Sequence, residues 1–259
     1  MDWEEAGRGW GARAVEWAYL CEPYALSANE LLFDRLGVGQ GTTLLDVACG
    51  SGFAARVAHR RGASVTGLDA SSALIEIAKA RTPQGDFRVG DMFALPFPDA
   101  TFDVATSFNG IWNGCDEALR EVHRVLKPGG QVGLTFWGRA EHRGSLPYIL
   151  TVMELSSQSH QAATRQQGKT RKVMQRMLID AGFEIRDEGA VDVTNEWPDV
   201  ATAVRGLAAA GPSVPAIEAV GYDKFCEALQ EKFSPLVDPH VGLRITSEFG
   251  WMTAESPRP

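Results

Sequence analysis

The sequence predicts an α/β fold in which a doubly wound, mostly parallel seven-stranded sheet carries N-terminal helices and a helical insert before its last strand. Short apolar runs alternate with helix-length segments between residues 42 and 137, and this alternation is typical of parallel strands joined by right-handed helical crossovers. A glycine-rich turn directly follows the first apolar run. Of the 259 residues, 44% are hydrophobic, which is enough for one large core and excludes disordered and fibrous architectures.

Apolar runs bounded by turn residues predict the strands of this sheet. They lie at Thr42–Val47, Ser64–Leu68, Asp86–Val89, Phe102–Ser107, Gln131–Trp137, Phe183–Val193 and Leu243–Thr253. Apolar residues at helical spacing predict the helices between them. They lie at Ser51–Arg61, Ser71–Arg81, Asp116–Val125, Leu146–Leu155 and Arg171–Ala181.

The first forty residues predict two further helices. The first begins by Trp10 and places four residues along one side, although the glycines at 7, 9 and 11 weaken the helical pattern before it. Those four residues are Trp10, Ala14, Trp17 and Cys21. The second is predicted over Tyr24–Leu36 and ends at Gly37, which suits a C-terminal cap.

These patterns divide the chain into an N-terminal helical cap, residues 1–40, and a main domain, residues 41–259. Residues 198–236 are rich in alanine and proline and predict an insert of short helices. Residues 156–170 are too polar for a core and predict a mobile connection.

The net charge and the spacing of the cysteines limit the classes of partner molecule and the cellular compartment that we expect. Lys and Arg total 25 and Asp and Glu total 33, for a net charge of −8, so tight nucleic-acid binding is disfavoured and a small-molecule substrate fits better. The four cysteines lie far apart, so no metal site and no disulfide framework is predicted and a reducing, cytoplasmic location is expected. We expect neither a secretory signal nor a membrane span. Either a monomer or a homodimer is compatible with the composition.

The first strand, LLDVA, runs into CGSGFAARVAHR, so a glycine turn opens a helix at the carboxyl end of that strand. Gly50 and Gly52 allow a close approach of backbone to ligand, and the helix N-terminus attracts an anionic group. With Ala55 they also match the GxGxxA pattern of dinucleotide-binding folds. Asp46, four residues before Gly50, argues against a pyrophosphate there and favours a cationic group.

Asp69 ends the second strand, 17 residues after Gly52. A carboxylate at this place can accept hydrogen bonds from both hydroxyls of a ribose. Its other possible role is to cap the following helix, for which Ser71 and Ser72 also qualify.

Four segments in this order, LLDVACGSGFAARVA, VTGLDAS, VGDMFALPFPDATFDVA and LREVHRVLKPGG, resemble the successive motifs of class I S-adenosylmethionine-dependent methyltransferases. More narrowly, they are similar to the small-molecule branch around the quinone-biosynthesis methyltransferases. The resemblance covers residues 42–138 and implies S-adenosyl-L-methionine as the cofactor. Where the family usually has glycine, this chain has Ala48.

The resemblance also implies a role for each matching residue. Asp69 would hold the ribose together with the adjoining Ala70, and Asp91 and Met92 would hold the adenine. Asn109 would approach the methionyl amino group through its carbonyl. The methionyl part would be surrounded by Asp46, Ala48, Cys49, Gly50 and Gly52.

Acceptor residues are expected beyond the fourth and fifth strands, because ligands of open α/β sheets lie at the carboxyl ends of the strands. Trp112 and Trp137 stand there and could line an apolar pocket. Three N-terminal aromatic residues could cover it: Trp10, Trp17 and Tyr24.

His142 is the candidate general base, although a lone loop histidine is more often simply solvated. The sequence thus favours transfer of a methyl group to an oxygen, nitrogen or carbon of a small, apolar or aromatic molecule. Two alternatives stay open: an NAD(P)-dependent oxidoreductase on a similar sheet, and a non-catalytic module that binds S-adenosylmethionine.

Overall fold

A computed structural model describes residues 2–156 and 170–258. Seven strands form one sheet in the order β3-β2-β1-β4-β5-β7-β6. Strands β1 to β5 are parallel, and β7 runs antiparallel to both β5 and β6. The predicted doubly wound, mostly parallel sheet is confirmed. The strands are β1 Thr43–Val47, β2 Ser64–Asp69, β3 Asp86–Val89, β4 Phe102–Phe108, β5 Leu126–Trp137, β6 Glu184–Trp197 and β7 Leu243–Glu255.

Helices cover both faces of the sheet. We number those of the described residues α1 Trp3–Gly11, α2 Ala14–Glu16, α3 Leu26–Arg35, α4 Phe53–Arg60, α5 Ser72–Arg81, α6 Asp116–Val125, α7 Leu146–Leu155, α8 Thr170–Asp180, α9 Val200–Ala208, α10 Val214–Val220 and α11 Tyr222–Phe233. The last three occupy the predicted insert before β7.

Neighbouring residues of β1 serve opposite sides of the sheet. Leu44 packs with Phe33 of α3 on one face, and Leu45 packs with Leu119 of α6 on the other. Because successive side chains of a strand point to opposite faces, a strand covered on both sides is apolar at almost every position. The exception in β1 is Asp46, which is as buried as its neighbours.

The strand order reverses beside β1, which has β2 on one side and β4 on the other. At such a switch point the two crossover helices leave on opposite faces, and a crevice opens beyond the carboxyl ends of the strands. The glycine turn at residues 48–52 and the loop after β4 border this crevice. The fold therefore brings the predicted cofactor residues to one edge of the sheet.

The N-terminal helices differ from the prediction. Instead of one helix through Trp10 and Cys21, α1 ends at Gly11 and Arg13 leaves the helical conformation at φ −137° and ψ 47°. A π-helical turn then spans Trp17–Cys21 and a 3₁₀ turn spans Glu22–Ala25, so α3 begins at Leu26, not at Tyr24.

Strand β6 is longer than predicted and reaches Trp197 because its polar residues pair along the whole of β7. Of the polar connection predicted at 156–170, residues 157–169 lie outside the described residues. Within the described part, no single helix is long and apolar enough to cross a membrane; α9 and the segment Gly211–Val220 meet the criterion only together, across an 85° bend.

Candidate active site

The turn after β1 is built from left-handed backbone conformations. Gly50 has φ +56° and Gly52 has φ +72°, and α4 begins at the next residue. A Cβ added at Gly52 would lie 2.8 Å from Cβ of Ala78. Ala48 also has φ +56°, a conformation that costs an L-residue roughly 1–2 kcal/mol, so the position where the family usually has glycine demands the geometry that glycine supplies.

Asp69 ties the turns after β1 and β2 together. Its buried carboxylate accepts hydrogen bonds at 2.8 Å from the backbone N–H of Gly50 and of Ser71. Ser71, not Asp69, caps α5 through its hydroxyl, which accepts from Leu74 N at 3.3 Å. A carboxylate offers about four acceptor sites, so Asp69 retains acceptors for the hydroxyls of a ribose.

Glu22, which the sequence analysis missed, lies over the glycine turn. One carboxylate oxygen accepts a hydrogen bond from Ser51 N at 2.9 Å, and the other contacts the Ser51 hydroxyl and pairs with Arg81 at 2.8 Å. A Cβ at Gly50 would lie 2.5 Å from Glu22 Oε1. The only signal in the sequence is one acidic residue in the apolar stretch WAYLCEPY, which does not reveal a partner 29 residues away.

Three buried carboxylates surround this turn: Glu22, Asp46 and Asp69. Burial raises the pKa of Glu22 and of Asp46 to about 7, and it also raises the pKa of Asp69. Repulsion among the carboxylates adds to the rise for Glu22 and Asp46. Arg81 pairs with Glu22, while Asp46 accepts a hydrogen bond from the hydroxyl of Thr106 at 2.8 Å. The pocket is therefore electrostatically suited to a cationic ligand.

Asn109 supplies an unused acceptor at the end of β4. Its backbone has φ +57° and its N–H donates to Thr135 O at 3.2 Å. Its buried Oδ1 has no hydrogen-bond partner among the described residues. The next residue, Gly110, packs against Ala48, since a Cβ there would lie 2.5 Å from that of Ala48. An orphaned buried acceptor beside the carboxylates fits the ammonium group of a methionyl moiety.

The remaining cofactor residues follow the order of the strands. Asp91, after β3, is half-buried and accepts from Phe93 N at 2.9 Å, and Met92 packs partly against the core. The residues predicted to hold the adenine, the ribose and the methionyl part thus stand after β3, after β2, and after β1 and β4, and these strands follow one another in this order across the sheet. S-adenosylmethionine has the same linear order, so the residues present fit it. Cys49 and Ala70 lie within the two turns of this row.

The N-terminal segment packs over the turns that follow β1 and β2. A Cβ at Gly7 of α1 would lie 2.2 Å from Ala70 O, so α1 packs backbone to backbone on the ribose turn. Trp10 meets Trp17 edge to face with ring centroids 4.8 Å apart. Trp17 Nε1 would lie 4.0 Å from a Cβ at Gly50. The two predicted tryptophans therefore lie over the turns, on the cofactor side of the crevice.

On the acceptor side, aromatic residues from three elements meet. Phe249 of β7 contacts Tyr24 and Trp137 edge to face, with centroid distances of 5.5 and 5.0 Å. The Arg143 guanidinium lies 4.8 Å from the Trp137 ring centroid. Trp112, in contrast, is 56% exposed.

His142 is half-exposed in a 3₁₀ turn beyond β5. Its Nδ1 lies 3.1 Å from Arg139 Nη2 and 3.6 Å from a Glu248 oxygen. No hydrogen bond or ion pair of the described residues joins it to the glycine turn or to Asn109. Within the same residues, no cluster of three or more His, Cys, Asp or Glu side chains could hold a metal ion.

The fold and the row of ligand groups define the methyltransferase class of doubly wound proteins, and comparison with known proteins agrees. The family described as "Methyltransferase domain" matches residues 45–134. A malonyl-[acyl-carrier protein] O-methyltransferase of Pseudescherichia vulneris is 31% identical over 185 residues, which cover 70% of this chain and 69% of that protein. The chain belongs to the S-adenosylmethionine-dependent methyltransferases.

Further matches cover shorter stretches or show the fold alone. A demethylmenaquinone methyltransferase of Renibacterium salmoninarum is 39% identical over 106 residues, 40% of this chain and 45% of that protein. The match thus spans less than half the length of that relative. A putative methyltransferase structure from Bacillus halodurans superposes with a TM-score of 0.59 at 19% identity, covering 89% of this chain and 99% of the other.

Proposed function

We propose that the chain transfers the methyl group of S-adenosylmethionine to a small molecule with an apolar or aromatic portion. The observation that carries the proposal is the row of ligand groups after β3, β2, β1 and β4, which ends beside the aromatic residues Tyr24, Trp137 and Phe249. The names of the relatives support small-molecule acceptors. The net charge of −8 disfavours nucleic acids.

Each part of the chain has a role in this proposal. Asp69 holds the ribose, Asp46 and Asn109 attract the ammonium group, and Asp91 and Met92 contact the adenine. When bound, the cofactor supplies a methyl group that is already activated by its sulfonium. The protein therefore needs to align the acceptor and exclude water, which can supply most of the rate.

Aromatic side chains exclude water in this proposal. Tyr24 and Trp137 pack against the buried ring of Phe249, and the contact between α1 and Ala70 covers the turn after β2. The cysteines described as free thiols, of which three are buried, are consistent with the expected reducing cytoplasm. Monomer and homodimer both remain compatible with the proposal.

The proposal is tested by incubating the purified chain with S-adenosylmethionine and separate panels of phenols, quinols, amines and carboxylic acids. We expect release of S-adenosylhomocysteine with at least one panel, and release at least about tenfold slower with the folded Asp69→Ala variant at a cofactor concentration below the dissociation constant of the unmodified chain. Cofactor binding without release in any panel would favour the non-catalytic module. Binding of NADH in place of S-adenosylmethionine would restore the oxidoreductase alternative.

A further inference from the structure

Arg143 is a buried cation without a counter-ion in the part of the chain that the structure describes. It lies between β5 and α7 and is 6% exposed. Within residues 2–156 and 170–258 its Nε has no hydrogen-bond partner, and its Nη2 donates to Gly138 O over a long distance of 3.3 Å. Among the described residues no carboxylate forms an ion pair with it, and residues 157–169 contain no Asp or Glu. A buried, unpaired charge is costly. A bound anion would offset this cost for the Arg143 guanidinium.

Two other arginines of this chain, Arg81 and Arg139, form ion pairs with carboxylates, unlike Arg143 within the described residues. Arg81, similarly buried, pairs with Glu22 at 2.8 Å. Arg139, four residues before Arg143, is exposed and contacts both carboxylate oxygens of Glu248. Glu248, which follows the bridged Ser247 in β7, is thus already engaged by Arg139. Burial lowers the pKa of Arg143 to about 10, which leaves it positively charged at neutral pH.

The position of Arg143 is fixed on the acceptor side of the crevice. An antiparallel bridge joins its backbone to Ser247 of β7, and its guanidinium packs over the ring of Trp137 at the end of β5. Trp137 in turn packs against Phe249, the ring that Tyr24 also contacts.

We propose that Arg143 binds a carboxylate of the methyl acceptor, so that the preferred acceptors are organic acids with an apolar or aromatic body. This inference rests on the proposed function and names its substrate class. A planar guanidinium presents a fork of N–H donors that matches a carboxylate. A single unpaired arginine matches one negative charge better than a doubly charged phosphate, because the neighbouring arginines are already neutralised. The partly exposed rings of Tyr24 and Trp137, which pack against Phe249, offer apolar surface for the body of the acid.

The test uses benzoate and benzamide, two molecules of the same shape that differ in charge. Each is titrated by calorimetry into the full chain saturated with S-adenosylhomocysteine. We expect benzoate to bind at least tenfold more tightly than benzamide. Arg143→Gln should abolish this preference and Arg143→Lys, which keeps the charge but not the fork, should retain part of it. Arg120→Gln, which removes an exposed arginine of α6, should leave it unchanged.

Equal binding of the two probes to the unmodified chain overturns the inference, and so does a benzoate preference that survives in Arg143→Gln. Failure of S-adenosylhomocysteine to bind in the first step overturns the proposed function instead, so the two failures are distinguishable. Thermal unfolding of the ligand-free chain separates a binding role from a structural one. Because an unpaired buried charge is lost, Arg143→Met should unfold at a temperature equal to or above that of the unmodified chain; a marked decrease overturns the inference.

Discussion

At the scale of single residues, the carboxylate of Asp69 has two roles. It accepts backbone N–H groups from Gly50 and Ser71 and is proposed to accept both ribose hydroxyls. Asp69→Ala should therefore weaken S-adenosylmethionine binding by roughly 1.5–3 kcal/mol, since charge-assisted hydrogen bonds to the cofactor are lost. Isothermal calorimetry measures this. Asp86→Ala, an exposed carboxylate of β3, is the control, and unchanged affinity in a folded Asp69→Ala protein contradicts the ribose assignment.

The pair Glu22 and Asp46 makes cofactor binding dependent on pH. Burial raises the pKa of each carboxyl to about 7 in the folded chain, above its unfolded value, so the stability from the neutral forms is complete at acidic pH and is lost as pH rises through 7. A cationic ligand favours the ionised form. We expect affinity for S-adenosylmethionine to rise severalfold between pH 6 and pH 8.

Calorimetry in buffers of different ionisation enthalpy counts the protons released on binding at pH 7. Release should be reduced in Asp46→Asn, whose side chain retains an acceptor for Thr106 but no charge to titrate. Affinity that is constant across this range, with no proton release, would show that neither carboxyl changes its charge when the cofactor binds.

His142 is the candidate general base of the methyl transfer. It is half-exposed and contacts Arg139 and Glu248, so we expect alignment of the acceptor to matter more than proton transfer from this side chain. His142→Ala should lower turnover less than tenfold. Steady-state kinetics with an acceptor found in the screen decides it, with Trp137→Ala expected to impair acceptor binding. A loss of a hundredfold or more at unchanged acceptor affinity would make His142 a general base.

At the scale of elements, the glycines of α1 show how packing overrides propensity. Glycine weakens a helix by about 1 kcal/mol relative to alanine, which is why the sequence indicates this helix so faintly. A Cβ at Gly7 would lie 2.2 Å from Ala70 O, whereas at Gly9 the nearest atom would be 3.7 Å away on Val214. Gly7 is thus required by a residue 63 positions later in the chain.

These two glycines provide a matched pair. Gly9→Ala should stabilise α1 by up to about 1 kcal/mol because it adds helix propensity without a clash. Gly7→Ala gains the same propensity but should destabilise the chain and detach α1 from the ribose turn. Denaturant unfolding compares the two variants. Equal stabilisation by both would show that α1 does not pack on Ala70 in solution.

The difference between a local sequence pattern and packing between distant segments also explains which elements can be predicted from the sequence. Strands β1 to β5 are locally marked by apolar runs between turns, and Asp86–Val89 matches β3 end to end. The long β6, by contrast, is polar at many positions and is held by its partner β7. The glycine turn and Asp69 are predictable because neighbouring strands place them together. Glu22 and Arg143 are not, because their role comes from contacts between segments distant in the chain.

At the scale of the whole molecule, the N-terminal segment connects the cofactor turns to the helical insert. Trp10 packs against Gly211, Cys21 lies in the same apolar cluster as Phe225 of α11, and Glu22 bonds to Ser51 at the turn. The N-terminal segment therefore lies where it can cover a ligand that is bound at the turns. Segments that admit and then cover a ligand are drawn from the less stable parts of a fold.

This arrangement predicts that ligand binding slows hydrogen exchange in residues 2–24. S-adenosylhomocysteine should reduce amide exchange there at least tenfold, because the segment then closes over an occupied site. The far end of the ladder between β6 and β7, where Ile185 pairs with Ala254, is the internal control, since it lies at the opposite edge of the sheet from the turns and should exchange at the same rate with and without ligand. Glu22→Gln weakens the ion pair with Arg81 and should speed exchange of this segment in the ligand-free chain. Identical exchange of residues 2–24 in both states would assign the segment a purely structural role and leave cofactor entry to another part of the crevice.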